Sequence, residues 1–242
     1  MGKNMEKAVN ENFHKPLFYN LRYERKFIFQ NIHLDDLIQT IVYTNTFGFE
    51  EIYSKRTVNN IYFDDNNYTF YKQNISGDGI REKYRLRWYN DVPSIIKSPT
   101  IEIKKKFGEV GDKLSLKIPS FETNLQSLHA DQINSQIRKA VKETKNKELI
   151  CKFYNLFPTL YNTYERRYFL SACEKFRITL DFNMHFFNPN NYKHCRSINN
   201  EIILELKYNK KHDNESRVLT QQINSRLSKN SKYVRGIGII HS

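Results

Sequence analysis

Carboxylates and ammonium groups recur two residues apart in this chain: Glu24 with Lys26, Glu102 with Lys104, and Glu205 with Lys207. Arg85 and Arg87 repeat the spacing with guanidinium groups. Two residues is the side-chain period of a β-strand, so each pair projects from one face. On such a face the carboxylate can hold a divalent metal while the ammonium holds a phosphate. Mg2+ and Mn2+ favour oxygen ligands and commonly bridge a carboxylate to substrate phosphates. Arg adds planar, multi-donor contact with phosphate oxygens. One Glu-x-Lys carries no information; three on strand-like segments, with Arg-x-Arg beside them, point to phosphate.

The elements that must position these residues alternate charged with apolar or aromatic side chains. The spacing predicts strands over 21–29, 57–64, 80–90, 100–107, 158–171, 176–181 and 201–208, with a shorter one at 113–118. Leu34, Leu37, Ile38, Ile41 and Val42 predict a helix after the first strand, and 65–72 fits a short helical turn. Between 121 and 156, Leu125, Leu128, Ile133, Ile137, Ala140 and Val141 suggest one or two helices with a basic exposed side. A last helix is expected over 216–228, followed by a basic tail through Lys229, Lys232 and Arg235. Asp64-Asp65 reads as a strand-end turn in preference to a metal site. No repeat or linker divides the chain, so it reads as a flexible tail over 1–18 and one α+β domain over 19–242.

Lys plus Arg exceed Asp plus Glu by 39 to 26, a net charge of +13, which points to anionic partners without choosing among them. Seventeen Phe and 16 Tyr supply a core despite the polar average. The three cysteines, Cys151, Cys173 and Cys195, are far apart, fit neither a disulfide framework nor a zinc site, and read as free thiols in a reducing compartment. There is no apolar run of membrane-span length, and the first 15 residues lack a signal-peptide core. A soluble, cytoplasmic protein is the expectation. The basic stretch from Arg138 to Lys147 is either a solvated face or a docking surface for a membrane-protein partner, and the residues leave both open.

Alternation alone allows three geometries: an open sheet with one wet face, a sandwich with charges outside, or a sheet closed into a barrel with the charges inside. Repeated choice of Arg and Lys, often two in one strand, goes beyond an ordinary solvated face, where like charges on neighbouring strands are avoided.

The order Arg-Tyr-Glu-Arg-Lys (22–26), Ile-Tyr-Phe-Asp (61–64), Arg-Leu-Arg-Trp-Tyr (85–89), Ile-Glu-Ile-Lys (101–104) and Tyr-Glu-Arg-Arg-Tyr-Phe (164–169) resembles the VTC domain. It continues through Arg-Ile-Thr-Leu-Asp (177–181), Leu-Glu-Leu-Lys (204–207) and Ser-Lys-Tyr-Val (231–234). VTC domains are the polyphosphate polymerase branch of the triphosphate tunnel metalloenzymes, which also include CYTH-type phosphatases. The resemblance implies the third geometry, an antiparallel β-tunnel with a basic interior flanked by helices. It also implies transfer of the γ-phosphate of ATP to inorganic polyphosphate with Mn2+ or Mg2+. Carried over motif by motif, Lys26, Arg85, Arg87, Lys104, Arg166, Arg177 and Lys207 would line the tunnel, and Lys229 and Lys232 would stand at its mouth. Tyr62 would lie on the tunnel face or simply pack. Glu205 matches the metal-binding glutamate; Glu24 and Glu102 are further metal candidates, or salt-bridge partners that orient a Lys. Many CYTH-type members carry Glu-x-Glu-x-Lys on the first strand; here Arg22 replaces the first Glu, which favours polymerase over hydrolase. The alternatives are a triphosphatase acting on inorganic or nucleoside triphosphate, and a non-catalytic polyanion-binding module. Enclosed charges argue against duplexes and folded RNA, so no nucleic acid is expected.

Overall fold

A computed structural model describes residues 22–108 and 110–242. The expected tail over 1–18 lies outside the described residues. The strands are β1 (Arg22–Gln30), β2 (Phe49–Asp64), β3 (Ile80–Tyr89), β4 (Ile95–Lys97), β5 (Thr100–Phe107), β6 (Val110–Lys117), β7 (Glu122–Asn124), β8 (Phe157–Ser171), β9 (Phe176–Asn188), β10 (Asn191–Ile198) and β11 (Glu201–Asn209). The helices are α1 (Leu34–Leu37, continued as a π-helix over Ile38–Tyr43), α2 (Thr69–Ser76), α3 (Ala130–Glu143), α4 (Lys147–Tyr154), α5 (Asp213–Gln221) and α6 (Lys232–Ile240).

The large sheet is nine-stranded, in the order β10-β9-β11-β1-β6-β5-β3-β2-β8, and β8 pairs back onto β9. That last pairing closes a ring and leaves β10 outside it. Every ladder is antiparallel. The ring is tied along β2–β8 and β1–β11, and among the described residues β1 meets β6 at Arg22 with Gly111. On the edge away from β8, β9 serves two partners by kinking at Asn183, which holds φ at 51°. Before the kink it pairs with β11; after it, with β10.

Period-two alternation sorts the side chains. Ile61, Leu86, Ile101 and Ile103 face outward and are buried beneath Ile133, Ile137 and Val141 of α3 and Leu149 and Phe153 of α4. Phe27, Ile178, Leu180, Leu204 and Leu206 face outward on the other side, under Leu37, Ile38 and Val42 of α1 and Leu219 of α5. Helices that cover the apolar exterior leave the charged faces to the inside, at roughly 25 cal/mol for each Å2 of apolar surface removed from water. The Arg138 guanidinium lies 5.0 Å over the Phe157 ring and donates to the Leu156 carbonyl, so part of the basic stretch at 138–147 serves packing.

The C-terminal region departs from the sequence expectation. The helix expected over 216–228 is Asp213–Gln221, and the expected basic tail holds a further helix, α6. Tyr233 and Ile237, one turn apart, pack against Tyr62, Leu160, Met184, Phe186 and Ile203, which belong to the inner face of the ring. α6 therefore covers part of the lumen. Gly236 permits this approach: a Cβ there would clash with Leu160 and lie 2.7 Å from Phe186. β10, and the extension of β2 back to Phe49, were also absent from the expectation. No helix among the described residues is long and apolar enough to cross a membrane.

Candidate functional site

The register of β1 on β11 sets Lys26 opposite Glu205 and Glu24 opposite Lys207, with all four on the inner face. Glu205 is buried and surrounded by cations: Lys207 Nζ at 3.3 Å, Arg166 Nη2 at 3.7 Å and Lys26 Nζ at 4.0 Å. Burial pushes its pKa up, but Lys207, Lys26 and Lys104 outweigh that and hold the carboxyl well below the usual range. Burial likewise opposes the charge on Lys26, and Glu205, Glu24 and Asp181 overcome it, so this ammonium is held above its ordinary value. Its Nζ also donates to the Asn230 carbonyl at 2.7 Å.

Glu24 forms an ion pair with Lys104 of β5. Burial and the Glu205 charge push Glu24 up, while Lys104, Lys207 and Lys26 hold it below the usual carboxylate range. For Lys104 the balance goes the other way: burial overrides the pull of Glu24 and Glu205 and draws the ammonium down to about 8. Lys83 of β3 lies well below its ordinary value because burial is compounded by Lys26, Lys104 and Lys106.

Arg85 and Arg87 of β3 converge on Glu102 of β5, whose other oxygen takes Lys113. Arg85 Nε is 2.6 Å from Glu102, Arg87 Nη1 is 3.7 Å, and Lys113 Nζ is 2.9 Å. Both oxygens of Glu102 are thus occupied, and the role this geometry supports is orienting the two arginines. Arg87 is fixed further by Asn60 Oδ1 at 2.8 Å and the Tyr164 hydroxyl at 3.1 Å. Arg166 of β8 grips Asp181 of β9 with two donors, Nη2 at 2.7 Å. Lys232, the first residue of α6, pairs with the same carboxylate. Burial would raise Asp181, but Arg166 and Lys232 hold it down at about 2.

Of the residues singled out from sequence, Lys26, Arg85, Arg87, Lys104, Arg166, Lys207, Lys232, Glu24, Glu102 and Glu205 come together in the lumen. Tyr62 lies on the inner face and stacks on Tyr233, ring centroids 5.3 Å apart, so it packs against α6. Arg177 is exposed, on the inner side of β9 at the end of the ring, paired in register with Lys207. Lys229 is exposed in the loop between α5 and α6, outside the buried cluster. Sequence reasoning passed over Lys83, although it stands two residues before Arg85 on the same face. It also left Asp181 out of the site, and the signal there was its place two residues after Thr179 on a charged face. Ser231, which accepts from Lys83 Nζ at 2.9 Å and caps α6, has no local signal beyond its N-cap chemistry.

Asp64 accepts the backbone N–H groups of Phe70 and Tyr71 and the Tyr233 hydroxyl, so it ties β2 to α2 and α6.

Among the described residues, no three Asp, Glu, His or Cys side chains form a group that could hold a metal. An all-protein cage is therefore not what these residues offer. Mg2+ and Mn2+ that travel with a triphosphate keep phosphate and water as most of their ligands and need only one or two carboxylates. Glu24 and Glu205, diagonal neighbours on the inner face of the β1–β11 pair, are two carboxylates of the kind such an ion would need. The Thr179 hydroxyl and both polar atoms of the Asn230 side chain are buried without a protein hydrogen-bond partner. Unpaired polar groups beside buried cations are suited to water or phosphate oxygens.

A closed antiparallel ring that encloses Lys and Arg around a few neutralised carboxylates defines a triphosphate tunnel protein. Within that class the chain belongs to the VTC domain family, whose model matches residues 21–241. Solved structures share the fold. A candidate adenylate cyclase from Vibrio parahaemolyticus is 13% identical with a TM-score of 0.50, the match covering 92% of this chain and 99% of that one. A candidate adenylate cyclase from Bacillus halodurans is 14% identical with a TM-score of 0.51, over 89% of this chain and 97% of that one. No protein of curated function matches the sequence. The family and the fold are those of phosphate chemistry carried out in a tunnel.

Proposed function

We propose that the chain is a polyphosphate polymerase, transferring the γ-phosphoryl group of ATP to the end of an inorganic polyphosphate chain. The observation that carries this reading is the state of the inner carboxylates. Glu24, Glu102, Asp181 and Glu205 are each held by at least one Lys or Arg. None is left as a free base for water, while Arg85, Arg87, Arg166, Lys26 and Lys207 supply donors to phosphate oxygens. Arg22, in place of the first-strand carboxylate of CYTH-type relatives, adds to the same balance.

In the proposed reaction a terminal phosphate oxygen of the acceptor attacks the γ-phosphorus. The bond from that phosphorus to the bridging oxygen breaks, and ADP leaves with the electron pair. The attacking oxygen is already an anion, so no protein nucleophile or dedicated base is required. Catalysis then consists of in-line positioning and charge neutralisation. Arg85 and Arg87, held by Glu102, Asn60 and Tyr164, are fixed before substrate arrives, and donors fixed in advance cost no reorganisation during reaction. Lys26 and Lys232 are steadied by Asn230 and Asp181 and present their charge from the α6 side. A divalent ion, bound by Glu205 and Glu24 together with the triphosphate, would supply further neutralisation at the phosphate oxygens.

The test is incubation of the purified chain with ATP and Mn2+ or Mg2+, followed by electrophoresis that resolves phosphate chains. A ladder of long chains is expected. Free phosphate without chains would identify a triphosphatase instead, and no turnover of ATP would refute both enzymes in favour of polyanion binding.

A further inference from the structure

On the reading proposed above, the cations of the lumen serve the phosphates of a nucleoside triphosphate, and none of the residues assigned there serves its base. At the end of the ring where β2 runs past β3, cations and aromatic rings alternate from the surface inward. The Tyr53 and Tyr168 rings meet edge-on, centroids 5.7 Å apart at 88°. The Arg56 guanidinium carbon lies 4.6 Å from the Tyr53 centroid and 5.7 Å from that of Tyr168. On the inner side of Tyr168, Arg166 follows at 5.8 Å, and it lies 5.3 Å from Tyr164. The series therefore runs without a break from an exposed tyrosine to a guanidinium of the buried site.

Two features set this cluster apart from ordinary surface packing. Tyr53 is 48% exposed, large for an aromatic side chain, and Arg56 beside it is exposed as well. The neighbouring cations are neutralised: Lys55 holds Glu165 at 2.6 Å and Arg167 holds Glu51 at 2.5 Å. Among the described residues, no hydrogen bond or ion pair of the Arg56 side chain is found, and its guanidinium lies over the two rings. A planar cation between rings, with free donors facing solvent, suits a flat heterocycle that carries hydrogen-bond acceptors.

We propose that Tyr53, Arg56 and Tyr168 form a dock for the nucleobase of the nucleoside triphosphate, from which the phosphates run inward past Arg166. This rests on the reading of the lumen as a phosphate track. The base stacks on the exposed aromatic and guanidinium surface, and stacking on an aromatic platform tolerates any base. The dock therefore favours nucleoside triphosphates over base-free phosphate chains without strong preference for adenine.

Calorimetric titration of the full chain with ATP, GTP and inorganic tripolyphosphate tests it, using wild type, Tyr53→Ala, Tyr53→Trp and Arg56→Gln. Tyr53→Ala is expected to weaken ATP and GTP binding roughly tenfold while tripolyphosphate affinity stays the same, and Tyr53→Trp is expected to restore nucleotide affinity. Arg56→Gln should weaken the nucleotides more than tripolyphosphate. Equal loss for all three ligands in Tyr53→Ala, or no loss for the nucleotides, would overturn the dock and leave the phosphate track standing. Failure of the wild type to bind tripolyphosphate would overturn the track, and the dock with it.

Discussion

Replacing Lys104 by Arg should remove about half a proton from the uptake that accompanies ATP binding near pH 8. Lys104 is drawn down to about 8 by burial, against the opposing pull of Glu24 and Glu205. At that pH it is about half protonated in the free protein. Polyanionic phosphate in the lumen favours the charged form, so binding should return the ammonium to full protonation. The expected uptake from Lys104 is about half a proton at pH 8. Lys83, also held well below its ordinary value, adds to it. The sign follows directly: uptake on binding means that affinity falls as pH rises through about 8. For folding, the depressed value means that the cost of burying this ammonium is fully present below about 8. That cost is relieved as pH rises toward the ordinary value of 10.5. Arginine stays charged throughout this range, so Lys104→Arg keeps the attraction and loses the proton exchange. Calorimetry of ATP binding at pH 8, in buffers that differ in ionisation enthalpy, gives the number of protons as a slope. An unchanged slope in Lys104→Arg, or net proton release by wild type, would refute the assignment.

Two further outcomes are expected. Glu205→Gln should lower turnover by more than about a hundredfold while ATP affinity changes little, because the surrounding cations remain; parallel turnover and binding measurements separate the two, and unchanged turnover would remove Glu205 from the metal role. Gly236→Ala should force α6 away from Leu160 and Phe186 at a cost of about 1–3 kcal/mol, seen as a melting temperature lower by several degrees, and an unaltered melt would mean that α6 is not seated as described.

Much of this molecule was legible because β-strands write their geometry locally. The alternation in 22–26, 101–106 and 204–208 was enough to assign a charged face to each strand, since it depends only on side-chain direction. Closure of those faces into a ring was not legible in the same way. It depends on β8 pairing with β9 across a bulge and on the kink at Asn183, and neither leaves a periodic trace. The motif order supplied what periodicity could not. α6 escaped notice because its nine residues include Gly236 and Gly238 and begin with a lysine, which read as a basic tail. Its helical face has meaning only against Tyr62, Leu160 and Phe186, residues far away in sequence. The pairing of Asp181 with both Arg166 and Lys232 has the same origin: three separate segments had to fold together before the carboxylate had partners.

Among the described residues β1 meets β6 where Arg22 stands opposite Gly111, and the side chains around that junction bear on how the tunnel holds its contents. Gly111 of β6 stands at that junction, and a Cβ there would lie 3.0 Å from the Lys105 carbonyl and 4.0 Å from Cε of Lys104. Lys104 reaches from β5 past β6 to Glu24 on β1. An ion pair thus spans the β1–β6 junction of the ring. The ammonium that clasps this junction is also one that a phosphate would recruit, so ring closure and anion binding draw on the same charge.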